Sequence, residues 1–208
     1  MFIKICGITR PDDYKFLLGR DISAAGFVAH PKSKRYISPE NVRSILSIGG
    51  DILKVAVFVD AEIDEIKKYI DAGVNVVQLH GNESASLASE LSEHVEVWRA
   101  LRLQSEKDIT DNLEYPASKI LIDSYSGKMM GGTGIKADWN LASLAVKLFR
   151  KPVILAGGLN QSNIESAIKE VRPYGVDISS GVETAPGIKD TKAIENIVIL
   201  ARKAFNNL

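Results

Sequence analysis

Two neighbouring stretches, Val153-Ile154-Leu155-Ala156-Gly157-Gly158-Leu159-Asn160 and Val176-Asp177-Ile178-Ser179-Ser180-Gly181, decide the fold. Each is a short apolar, β-branched run closed by a glycine turn. Between them Ile164, Ala167, Ile168 and Val171 recur at helical spacing and stop before Pro173. The order strand, turn, helix, strand describes one parallel crossover unit. Working outward in both directions, the same unit recurs. Strand-like runs fall at 2–6, 24–29, 53–59, 74–80, 95–101, 119–123, 153–156 and 176–179. Eight units in 208 residues leave about 26 residues each, so the connections must be short. Eight strict strand–helix units predict an α/β fold, a single-domain (β/α)8 TIM barrel over residues 1–208, because closure removes both sheet edges. An open doubly wound sheet is the alternative. It would carry a glycine-rich nucleotide turn after the first strand, and Cys6-Gly7-Ile8-Thr9 is not one.

Several helices mark their own ends. Ser38-Pro39-Glu40 reads as an N-cap with proline in the first turn, ahead of Val42, Ile45 and Leu46 on one face. Thr9 and Asp12 have the spacing of a capping box, with Asp for the usual Glu. Ile63, Ile66 and Ile70 line a helix that Gly73 should stop. Asn160 is placed to cap the seventh helix and Asp190 the last. The longest irregular stretch is the glycine-rich segment 124–136 after the sixth strand.

Composition narrows the function. Lys+Arg and Asp+Glu are 26 each, so no basic excess offers a footprint for nucleic acid or an anionic membrane. The single cysteine, Cys6, excludes an internal disulfide and a cysteine-based metal cluster, and His30, His80 and His94 have no metal-site spacing. No apolar run approaches the ~20 residues of a membrane span, and the N-terminus is no signal peptide. The expected address is the cytoplasm, and the expected partner is a small molecule bound by a monomer or homodimer.

In barrels of this class chemistry gathers at the carboxyl ends of the strands. The first strand ends in Cys6 and the sixth in Asp123. A thiol can serve as base or nucleophile when positive surroundings lower its pKa, although a lone cysteine is more often a buried small hydrophobe. Asp123 is either an acid facing the mouth or a residue that ties a loop. Together the two could flank one substrate as base and acid. Arg35, in Pro31-Lys32-Ser33-Lys34-Arg35-Tyr36, is either part of a solvated basic loop or a fork for a carboxylate. Gln78 and Asp177 should point inward from their strands, Asp177 toward a sugar hydroxyl. Gly157, Gly158, Ser180 and Gly181 follow the last two strands, where backbone N–H groups can converge on a phosphate; ordinary tight turns are the plainer reading. His80 and His94 read as structural.

Six motifs occur in order along nearly the whole chain: Lys4-Ile5-Cys6-Gly7-Ile8-Thr9, Ser33-Lys34-Arg35-Tyr36-Ile37-Ser38-Pro39-Glu40, Val77-Gln78-Leu79-His80-Gly81, Gly131-Gly132-Thr133-Gly134, Leu155-Ala156-Gly157-Gly158-Leu159-Asn160 and Val176-Asp177-Ile178-Ser179-Ser180-Gly181-Val182-Glu183. In this the chain resembles the phosphoribosylanthranilate isomerases. The resemblance implies an Amadori rearrangement in tryptophan biosynthesis without cofactor or metal, with Cys6 as general base, Asp123 as general acid and Arg35 on the anthranilate carboxylate. Two positions depart from the family's pattern. Ala29-His30 stands where an aromatic residue is common, and Ala137 precedes Asp138-Trp139 where phenylalanine is usual. The related histidine-pathway aminoaldose isomerase would want an aspartate in place of Cys6 and phosphate sites at both ends of its substrate. An indole-forming synthase would want catalytic lysines and glutamates at strand ends. A non-catalytic phosphosugar-binding barrel would bind product without turnover.

Overall fold

A computed structural model describes residues 1–123 and 139–208. The glycine-rich segment 124–136, its Gly131-Gly132-Thr133-Gly134 motif and the Ala137 departure lie outside the described residues. The strands are β1 (Phe2–Cys6), β2 (Ala24–Val28), β3 (Leu53–Phe58), β4 (Val76–Leu79), β5 (Glu96–Leu101), β6 (Lys119–Asp123), β7 (Val153–Ala156) and β8 (Gly175–Ile178). Between them run α1 (Pro11–Leu17), α2 (Pro39–Leu46), α3 (Ile63–Asp71), α4 (Ala85–Ser92), α5 (Glu106–Thr110), α6 (Trp139–Leu148) and α7 (Ile164–Val171). After β8 come a 3-10 turn (Ser180–Val182), a small hairpin of β9 (Glu183–Ala185) and β10 (Ile188–Lys189), and α8 (Thr191–Asn206). The eight long strands pair in parallel, each with the next, and β8 returns to β1 to close the barrel. The expected strands match these bounds within two residues at either end.

Strand alternation sorts the core into two parts. Ile3 and Ile5 face outward into the layer beneath the helices, while Phe2 joins Val55, Val76, Trp98, Leu121 and Ile154 inside the barrel. Phe2 and Trp98 meet edge to face at 5.8 Å and plug the amino end. Lys4 and Cys6 share the inward side of β1 with Phe2, so they rise from that plug toward the mouth. The apolar floor carries stability and the polar upper layers are left for chemistry.

Ser38 accepts from the Asn41 amide at 3.4 Å, Gly73 takes φ 108° just past α3, and Asp190 accepts from Lys192 and Ala193 at 2.9 and 3.0 Å. Two capping expectations fail. Thr9 does not cap α1: Arg10 occupies the cap in an extended conformation without a side-chain bond, and the Thr9 hydroxyl instead donates to the Gly187 carbonyl at 2.6 Å. Tertiary tethering to the β9–β10 hairpin takes the hydroxyl away from the local cap. Asn160 likewise stands one turn too early. Its side chain accepts from the Ser162 amide at 2.9 Å, and Asn163 holds the cap of α7.

Candidate active site

The carboxyl ends of the strands surround a cavity of about 450 Å³. Cys6, Arg35, Gln78, Asp123, Gly157, Gly158, Asp177 and Ser180 all line it, joined by His30, His80, Arg102 and Ser179. Sequence spacing scatters these residues from 6 to 180; barrel closure collects them.

Cys6 is 8% exposed, and its place depends on two glycines. A Cβ at Gly26, its register partner on β2, would lie 2.7 Å from Sγ. Gly7 has φ 81°, and a Cβ there would lie 2.6 Å from Arg35 Cδ. The missing Cβ at Gly7 therefore leaves room for the arginine stem beside the end of β1. Arg35 is brought there because its loop folds back on β2 through a Val28–Tyr36 bridge, with Ile37 N–H donating to the Val28 carbonyl at 3.1 Å.

Arg35 is held on one edge. Its Nε donates to both Glu183 oxygens at 2.9 and 3.0 Å, and its Nη2 donates to Oε2 at 2.6 Å. Nη1 has no hydrogen-bond partner among the described residues, and that end of the guanidinium can meet a second carboxylate. Glu183 also accepts from Lys189 Nζ at 2.8 Å. Burial pushes the Glu183 carboxyl up, but the bonds from Arg35 and Lys189 outweigh it and hold the group below the usual carboxylate value. Lys189 is 5% exposed and lowered by burial against the pull of Glu183. It also donates to the Cys6 carbonyl at 2.5 Å and the Ser179 carbonyl at 3.3 Å.

Beneath the thiol lies a second ion pair. Lys4 is fully buried, and its Nζ donates to Asp177 Oδ2 at 2.8 Å, the two residues being register partners on β1 and β8. Asp177 Oδ1 is buried without a partner among the described residues, as a group reserved for a ligand hydroxyl would be. The expected electrostatics of Cys6 need correction. Burial pushes the thiol up, and although Lys4 and Lys189 oppose this, Asp177 adds to it, so the net direction is upward. Positive surroundings are present, but desolvation in the barrel interior is the larger effect.

Asp123 is 18% exposed at the end of β6. His80 Nε2 stands 3.5 Å from its Oδ2 and Arg102 Nε stands 3.7 Å away. Gln78 Nε2 lies 3.1 Å from His80 Nδ1, so the imidazole is held on one edge by Gln78 while its Nε2 edge faces Asp123. His80, expected to be structural, lines the cavity beside the carboxylate. The signal was its position at the mouth end of β4. His94 is exposed, away from the site.

The turns after β7 and β8 meet as expected, with one exception. Gly157 and Gly158 have φ 94° and 65°. The Gly158 and Ser180 N–H groups have no acceptor among the described residues, and the Gly158 carbonyl is taken by Asn160 and Asn163 at 3.1 and 3.0 Å. Gly181, expected among the anion donors, does not line the cavity. A Cβ there would fall 2.0 Å from the Leu159 carbonyl, so this glycine lets the two turns pack together. Sequence reasoning also missed Lys4 and Lys189. Period-two reading of β1 would have put Lys4 on the face of Cys6; nothing local marks Lys189.

The profile of the N-(5'phosphoribosyl)anthranilate (PRA) isomerase family matches residues 3–199. The chain belongs to that family. The N-(5'-phosphoribosyl)anthranilate isomerase of Thermotoga neapolitana is 40% identical over 203 residues, covering 96% of this chain and 98% of that protein. The isomerase of Geotalea uraniireducens is 40% identical over 202 residues, with the same coverage. Among solved structures, phosphoribosyl anthranilate isomerase from Thermotoga maritima superimposes with a TM-score of 0.86 at 38% identity, covering 100% of both chains. A family structure in complex with reduced 1-(o-carboxyphenylamino)-1-deoxyribulose 5-phosphate gives 0.85 at 38% identity, covering 98% of this chain and 99% of that one. Among the described residues, no helix is long and apolar enough to cross a membrane.

Proposed function

We propose that this chain converts N-(5'-phosphoribosyl)anthranilate to 1-(2-carboxyphenylamino)-1-deoxyribulose 5-phosphate in tryptophan biosynthesis, with Cys6 as general base and Asp123 as general acid. The observation that carries this reading is the convergence of Cys6, Asp123, Arg35 and the β7–β8 turns on one cavity. β1 lies between β2 and β8 in the ring, so Cys6 stands between Arg35 on one side and the glycine turns on the other. A substrate with a carboxylate at one end and a phosphate at the other spans these sites with its sugar over the thiol.

Asp123 protonates the furanose ring oxygen, and the ring opens to an iminium. The Cys6 thiolate then removes the C2 proton, giving an enolamine that tautomerises to the ketone. Hydrogen moves only within the substrate and its two catalytic groups, so the reaction needs no external redox partner. The high proton affinity of Cys6 makes its thiolate a strong base once formed. Arg35 binds the anthranilate carboxylate through the edge that Glu183 leaves open. Gly157, Gly158 and Ser180 hold the phosphate by backbone N–H groups, Asp177 Oδ1 accepts from a sugar hydroxyl, and Gln78 holds the His80 ring beside the acid. A monomer and a homodimer both fit; the T. maritima relative is described as dimeric, with monomers generated from it. A biosynthetic step of this kind belongs in the cytoplasm.

The test is loss of anthranilate-derivative fluorescence when purified protein meets its substrate, run beside Cys6→Ser. The parent should turn over, and the folded serine variant should bind substrate while losing several orders of magnitude in kcat. A parent without turnover would remove the activity, and near-normal turnover by Cys6→Ser would remove Cys6 from the mechanism.

A further inference from the structure

A fully buried lysine in a barrel interior needs a reason, because an ion pair there is seldom more stable than apolar side chains of the same volume. Lys4 sits directly above the apolar floor of Phe2 and Trp98, at 0% exposure. An ammonium has three donors. Nζ of Lys4 donates to Asp177 Oδ2 at 2.8 Å, and the same ammonium is within reach of the Cys6 thiol. The bond to Asp177 uses one of the three donors and leaves others for the thiol.

The charged groups around Cys6 are Lys4 on its own strand, Asp177 on β8, Glu183 on β9, Lys189 on β10 and Arg35 on the loop after β2. The other two cations are already committed. Lys189 spends its three donors on the Cys6 carbonyl, the Ser179 carbonyl and Glu183. Arg35 gives Nε and Nη2 to Glu183. The open Nη1 end of Arg35 is set aside for the substrate carboxylate, so Lys4 is the cation with donors to spare for the thiol. It stands two residues from Cys6 on the same face of β1, where side chains are about 7 Å apart at their roots and the lysine stem can lean along the strand. Of the influences opposing burial of the thiol's charge, Lys4 is the largest.

We propose that Lys4 is a positioning residue whose ammonium, anchored by Asp177, turns its remaining donors to the Cys6 sulfur and balances the negative charge that appears there when the thiol gives up its proton. This rests on the reading of Cys6 as base, yet it can be tested apart from turnover. Cys6 is the only cysteine in the chain, so alkylation reports on it alone. The rate of iodoacetamide labelling against pH is measured for the parent, for Lys4→Met, for Asp177→Asn and for Lys4→Met with Asp177→Asn. The double variant leaves no unpaired buried charge and carries the measurement if the single variant does not fold. The labelling midpoint should rise by about one pH unit or more in Lys4→Met over the parent, and in the double variant over Asp177→Asn, since Asp177 itself pushes the thiol up. In Lys4→Met the alkaline rise of kcat should move with it, while KM stays within about threefold of the parent. A midpoint within about 0.3 unit of its reference, the parent for Lys4→Met or Asp177→Asn for the double variant, overturns the proposal. Cys6→Ser separates the two ideas. If it turns over normally while the midpoint still moves, the base assignment fails and the role of Lys4 toward the thiol stands; if it is inactive and the midpoint is unmoved, the reverse holds.

Discussion

Replacing Glu183 with glutamine tests the link between the ion pairs and the site, because this side chain, 4% exposed, accepts from three different residues. Its two oxygens take Arg35 Nε and Nη2, Lys189 Nζ and, at 3.2 Å, the Gly187 amide. Glutamine keeps one acceptor oxygen but turns an NH2 group toward donors, so either Arg35 or Lys189 must lose its partner. Removing one member of a buried pair costs about 3–5 kcal/mol. Arg35 is 26% exposed, so water screens its share, whereas Lys189 is buried and has no such relief. The expected loss is therefore about 2–4 kcal/mol, a large part of a typical domain's stability of roughly 5–15 kcal/mol. The sign with pH follows from the lowered carboxyl. A depressed carboxylate stabilises the fold above its ordinary value of 4.5 and loses that contribution as pH falls through the folded value. Parent and Glu183→Gln should thus differ most near neutrality and converge in acid. Urea unfolding at several pH values measures this, and substrate KM should rise as Arg35 loses its anchor. A difference below about 0.5 kcal/mol at neutral pH, with KM unchanged, would refute the reasoning.

Three further outcomes are expected. Asp123→Asn should abolish turnover while keeping the melting temperature, since an amide is nearly isosteric but cannot protonate a ring oxygen; retained activity with lowered stability would make Asp123 a loop tie. Arg35→Met should weaken substrate binding by about 1.5–3 kcal/mol, and an analogue without the aromatic carboxylate should lose far less, as paired KM and inhibition measurements would show. Gly158→Val forces a β-branched residue to φ 65° beside two unclaimed amides and should raise KM strongly. Inorganic phosphate should compete with substrate in the parent and much less in that variant, and a crystal soak that puts the anion only beside Lys32 and Lys34 would overturn the placement.

Most of the framework was legible in the linear chain because parallel strands buried on both faces read as apolar runs, and their crossover helices carry the complementary period. The positions of Cys6, Asp123, Gly157 and Gly158 followed from that pattern, since strand ends fall at the mouth. The failures share a cause. Thr9 and Asn160 were judged by local capping chemistry, yet Thr9 is claimed by Gly187 from the far end of the chain and Asn160 by the turn it opens. His80 was judged by residue type, although its place at a strand end already argued for the site.

The sequence by itself determined the barrel and which strand ends could bear chemistry, because alternation and turn residues are properties of neighbours along the chain. Only tertiary structure decided how those residues are charged and held. Lys4 meets Asp177 and Arg35 meets Glu183 across separations of 173 and 148 residues, and Gly181 turns out to serve the packing of two turns. Such partners are chosen by barrel closure and by the need of each buried charge for a counter-charge, which no local pattern encodes.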